Sequence, residues 1–118
     1  MTTPLRSVLQ ALAERPEVAG VAVFSDEGLL VEGLLPAAAD GEAVAALAAA
    51  ALRSLAGLSQ AAALGAPGDV VIDTPDGALV LHRLPDSTAL LVLATDGGDL
   101  GTLLYELRRH GPALASLV

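Results

Sequence analysis

The chain has 118 residues, which suits one domain with a real core and gives no reason to look for a second. Its composition is 53% hydrophobic but only 2% aromatic, so stacking on bases is excluded as a binding mode. The net charge of −8, with six arginines and no lysine, repels a phosphate backbone and argues against a nucleic-acid partner. The absence of cysteine excludes disulfides, thiolate catalysis and thiolate metal sites, and fits a cytoplasmic location.

Leu5, Val8, Leu9 and Leu12 recur at i, i+3, i+4 and i+7, which predicts an amphipathic helix entered at Pro4 and closed before Pro16. The opening Met1-Thr2-Thr3-Pro4-Leu5-Arg6 lacks the cationic start and unbroken apolar run of a signal peptide. Val18 to Phe24 is a compact apolar run, a strand. Asp26-Glu27-Gly28 turns it into a second strand over residues 29–34, with Gly28 free to take a positive φ. A long helix follows from about Asp40, a capping residue, to Leu64. Its apolar stretch, residues 43–68, has a membrane-like look, but Arg53 near the middle and an alanine-dominated composition predict no membrane insertion.

Gly65-Ala66-Pro67-Gly68 stops that helix, and strands follow over residues 69–74, 78–84 and 89–94, separated by turns at Pro75-Asp76-Gly77 and Pro85-Asp86-Ser87. The last of these strands is continuously apolar, which predicts a central position. Asp96-Gly97-Gly98-Asp99 leads into a final helix with Leu100, Leu103, Leu104 and Leu107 on one face; Pro112 predicts a kink, or a break after His110. The reading is a single domain over residues 1–118, in the order α-β-β-α-β-β-β-α.

This order, with its signals, resembles the roadblock / dynein light chain family, whose bacterial and archaeal members accompany Ras-like GTPases. The stretches that carry the resemblance are Val18-Ala19-Gly20-Val21, Asp26-Glu27-Gly28-Leu29, the acidic helix opening at Glu42, Val70-Val71-Ile72, Leu91-Val92-Leu93-Ala94, Leu100-Gly101 and Glu106-Leu107-Arg108-Arg109. The resemblance implies an α+β fold, a three-layer α/β/α sandwich with a five-stranded antiparallel sheet, the central helix on one face and the terminal helices on the other. It further implies a homodimer in which the third strand and central helix of each subunit pair about a two-fold axis, and a non-enzymatic regulator or adaptor whose partner is a Ras-like small GTPase. The departures are Pro112 and a sequence that reads only to Val118, without the extra C-terminal segment of the longer members. A direct effect on GTP hydrolysis is therefore not among the expectations.

The residues themselves speak mostly about surfaces. In the long helix, Val44, Leu47, Ala51, Leu55, Leu58 and Ala62 form the stripe expected to cover the sheet. The other side offers Ala45, Ala46, Ala49, Ala50, Ala56 and Gly57, interrupted by Arg53, Ser54 and Gln60. A helix apolar all round is normally buried all round, and a small-residue face admits another helix closely; solvent-tolerant alanine is the bland alternative. Val70 and Ile72 lie on an edge strand whose open hydrogen bonds need either a paired strand or the blunting that Asp69 and Asp73 provide. The expected partner surface is therefore Ala45, Ala46, Ala49, Ala50, Arg53, Gly57, Gln60, Val70 and Ile72.

No catalytic, cofactor-binding or metal-ligating residue is expected. Asp96-Gly97-Gly98-Asp99 lacks the Gly-Lys-Ser/Thr of a phosphate loop and would repel phosphate, so it reads as a turn with a helix cap. Asp73, Asp76 and Asp86 flank turns, where aspartate bonds to backbone. His82 and His110 have no spaced partner for a metal, and no serine sits in a GxSxG elbow. A scaffold without GTPase contact, and a monomeric small-ligand sensor, are the competing functions.

Overall fold

The computed structural model describes residues 3–95 and 99–117. Helix α1 (Pro4–Ala13) starts as its sequence dictates: the Thr3 side chain accepts from the Arg6 amide, proline occupies the first turn, and Leu5 and Leu9 are buried. Strands β1 (Val18–Ser25) and β2 (Leu30–Leu34) form the first hairpin. Helix α2 (Gly41–Ala61) is capped by the Asp40 carboxylate, which accepts from the Ala43 amide. Strands β3 (Val70–Thr74), β4 (Gly77–Leu84) and β5 (Thr88–Thr95) form a meander, and α3 (Leu100–Ala115) completes the order read from the sequence.

The sheet is five-stranded and antiparallel, in the order β2-β1-β5-β4-β3, so the continuously apolar β5 is central as expected. Side-chain alternation divides the core into two layers. Val21, Val23, Val80, Leu90 and Val92 point to the α1 and α3 side, where they meet Leu5, Leu9, Leu103 and Leu107. Ala22, Phe24, Leu81, Ala89 and Leu91 point the other way and meet α2. The three-layer α+β architecture is thus the observed one.

Two glycines do specific work. Gly28 in the β1–β2 turn has φ of +88°, and a Cβ there would lie 3.0 Å from the Ala46 Cα, so glycine lets the turn pass directly beneath α2. Gly111 lies against β4, where a Cβ would come within 2.8 Å of His82 Nε2. Helix α3 runs through Pro112 without the break expected after His110, which leaves the kink as the other expectation; Gly111, lacking a Cβ, removes one of the clashes that proline makes with the residue before it.

Candidate functional site

The long helix shows its faces in a register different from the expected one. Ala45, Ala48, Ala49 and Leu52 are buried against the sheet, while Leu47 and Leu58 of the expected sheet-facing stripe are 70% and 65% exposed. The helix is rotated rather than reversed, since Val44, Ala51 and Leu55 of that stripe stay half-buried, and size complementarity explains the rotation. The sheet already fills this layer with Phe24, Leu81 and Leu91, so the helix packs on it mainly through small side chains, with Leu52 the large one among its buried residues. Ala45 and Ala49, expected on the partner surface, are consequently core residues. Ala46, Ala50, Arg53, Gly57 and Gln60 are on the solvent side.

The solvent face of α2 carries Leu47, Ala50, Gly57, Leu58 and Ala61 along one stripe, with Ser54 its single hydroxyl. Leu64 just beyond the helix is 79% exposed. A Cβ at Gly57 would meet nothing within 4 Å, so no packing inside this chain requires glycine there. By length and composition α2 is, among the described residues, the one helix that could cross a membrane, yet its buried face is the floor of a folded layer.

Beside α2 the sheet is open. The helix lies over β1 and β2, leaving the β3 and β4 end of this face with a groove of about 260 Å³ lined by Val44, Leu47, Ala51, Ile72, Leu79 and Leu91. Within β3, Val70 packs half-buried against the α2 layer, and Ile72, on the same face, is 43% exposed. Strand β3 pairs only with β4, so its outer hydrogen bonds face away from the sheet. Of the expected interface residues, Ile72 lines this groove and Val70 packs beside it, whereas Ala46, Ala50, Arg53, Gly57 and Gln60 lie on the solvent side of α2 and not in the groove.

Chemistry elsewhere is structural. Sequence reading missed a cluster in which Asp69, its side chain 7% exposed, receives Arg108 Nε at 2.8 Å and His82 Nδ1 at 2.5 Å, tying α3 to the base of β3 and to β4. These partners come from three elements, and no local spacing announces them. Among the described residues no group of three His, Cys, Asp or Glu could hold a metal ion. Residues 96–98 of the glycine-rich turn and the His110 side chain lie outside the described residues. Asp99 caps α3 by accepting from the Thr102 hydroxyl and amide, and those two bonds hold its carboxyl below the ordinary value. Glu17 is lowered likewise, by Arg15.

A cavity of about 460 Å³ separates α1 from α3, lined by Val8, Ala11, Leu12 and Leu107 with Ser7, Arg15 and Glu106 at its margin. Arg15 is already held by Glu17, and most of the lining is apolar.

Comparison with known proteins adds the following. The Roadblock/LC7 domain profile matches residues 5–94. MglB of Myxococcus xanthus superposes with a TM-score of 0.88 at 16% identity, covering 97% of this chain and 94% of that one. A Roadblock/LC7 domain from Streptomyces avermitilis matches at 26% identity with a TM-score of 0.70, covering 99% and 100% of the two chains. An MglB in a tetrameric arrangement gives 0.83 at 14% identity, over 96% and 86%. No curated protein matches the sequence significantly.

Proposed function

We propose that this chain, which belongs to the Roadblock/LC7 family and is a regulatory, non-enzymatic domain, acts in the cytoplasm as a homodimeric adaptor or regulator of a Ras-like small GTPase. The observation that carries the reading is the unfinished α2 face: a leucine- and alanine-lined helix surface beside an open edge strand. An exposed apolar surface of that kind marks a protein contact. A second copy related by a two-fold would pair β3 with β3, satisfy both open edges and bury Ile72 and Leu47 together. The tetrameric MglB supports self-association in proteins of this fold. The GTPase rests on the family resemblance.

The test begins with Ala50→Glu. Ala50 is exposed in the monomer, so the variant stays folded, while a carboxylate buried without a partner at an interface is strongly penalised. Sedimentation at micromolar concentration should show a dimer for the parent and a monomer for the variant. Ala49→Glu, by contrast, should unfold the chain, because Ala49 is 3% exposed under the sheet. The parent is then mixed with the purified Ras-like GTPase of the same organism, loaded with a GTP analogue or with GDP. Preferential binding of one nucleotide state supports the regulator. Binding only to roadblock-like subunits, whatever the nucleotide, would leave the scaffold in its place.

A further inference from the structure

Three of the six arginines are neutralised in place: Arg6 by Glu32, Arg15 by Glu17 and Arg108 by Asp69. Arg53 on α2 and Arg83 on β4 are not; among the described residues no carboxylate lies within ion-pair distance of either. Arg53 Nη1 donates instead to the Asp26 carbonyl at 2.8 Å, and Arg83 Nη2 approaches the Leu52 carbonyl at 3.5 Å. Each guanidinium has five N–H donors, so both keep donors to offer. Together they line a cleft of about 130 Å³, walled by Phe24, Asp26, Ala49 and Leu52, where α2 meets the ends of β1 and β4.

We propose that this cleft receives an acidic side chain of a protein partner seated on α2. In a chain of net charge −8, two guanidiniums left without carboxylates and lining one cleft are complementary to a supplied anion. The buried Phe24 and Leu52 behind them keep water from one side, which strengthens a charge-assisted hydrogen bond. A single carboxylate suits the cleft better than phosphate, whose extra charge meets Asp26 itself and the surrounding acidic surface. The position also suits a rim contact. Ala46, Ala50 and Gly57 lie at i−7, i−3 and i+4 from Arg53, so a partner covering those small residues reaches the guanidinium. Arg53 sits about 200° around the helix from Ala51, which lines the β3 groove, so the cleft lies away from a contact centred on that groove, and the two contacts meet at Ala50. The proposal rests on the adaptor reading only in requiring a protein partner, whichever protein that is.

Two designed helical peptides test it, both with leucines along one face and the flanking positions glutamate in one, glutamine in the other. Affinities are measured by calorimetry on the full chain in 150 mM salt. The parent should bind the glutamate peptide about tenfold more tightly than the glutamine peptide, while R53Q/R83Q, with melting curves confirming its fold, should bind both alike. R109Q, a charge removed from α3, should keep the tenfold preference. Equal binding of the two peptides by the parent, a preference that survives in R53Q/R83Q, or no binding at millimolar peptide would overturn the proposal. So would displacement of the peptide by millimolar inorganic phosphate, which would make the cleft a phosphate site. Failure to bind a GTPase leaves these measurements untouched, whereas their failure alongside GTPase binding removes the cleft alone.

Discussion

On one face of the sheet, α1 and α3 carry Leu9, Leu103 and Leu107 to full burial over Val21, Val23, Leu90 and Val92. On the other, α2 lays alanines over β1 and β2 and turns Leu47 and Leu58 outward, with Ile72 half in solvent beside them. The chain spends its large aliphatics inward on one face and outward on the other. The first face is filled by the chain's own leucines, apart from the cavity between α1 and α3. The second has the composition of an interior and the exposure of a surface, which is the signature of a layer completed by another molecule.

The sharpest way to break this comparison is a pair of truncations. Leu103→Ala opens a cavity at a fully buried site and should lose about 2–5 kcal/mol in urea denaturation. Leu58→Ala should cost the monomer less than about 0.5 kcal/mol while weakening self-association in sedimentation. Equal losses would mean that both faces are closed. Next in size, Gly28→Ala forces a side chain into positive φ against the Ala46 backbone and should cost about 1–3 kcal/mol, read by the same denaturation curves.

A smaller effect of opposite sign is expected at the end of α2, where Ala63 adopts φ of +62° in the terminating turn. Ala63→Gly relieves that strain and should raise stability by about 1 kcal/mol, visible as a higher melting temperature. The smallest belongs to the closed face. Asp99 has its carboxyl lowered below 3.8 in the fold, so its cap contributes fully above that value and is lost as pH falls through the lowered one. Thr102→Val removes the hydroxyl donor, and an NMR titration should then find Asp99 closer to the ordinary value.

Much of this architecture is legible in the sequence because its signals are local. The Leu5–Leu12 periodicity, the Asp26-Glu27-Gly28 turn, the Asp40 cap and the apolar run of β5 each specify an element without reference to the rest of the chain. The register of α2 is not legible. An alanine-rich helix has almost no directional preference, and its orientation is decided by distant residues, Phe24, Leu81 and Leu91, over which three alanines and Leu52 pack. Pro112 does not end α3, and Gly111 before it removes one of the clashes that proline makes with its neighbour. Of the α2 residues expected at an interface, Ala46, Ala50, Arg53, Gly57 and Gln60 fall on the solvent side and Ala45 and Ala49 in the core, while Arg83 comes beside Arg53 only through the fold, at the end of β4.

The strand order also governs how the chain comes together in time. Strands β1 and β5 pair from Val18 with Ala94 to Ser25 with Thr88, so β1 must wait for residues 26–87 before its inner neighbour exists. At about 5–20 residues per second, that is a delay of roughly 3–12 s during synthesis. Throughout it, the β1–β2 hairpin presents an open edge on the strand that carries Val21 and Val23, both fully buried in the finished fold. Closure of the sheet is a late, long-range event, and the nascent chain meets its greatest risk of wrong pairing before β5 arrives.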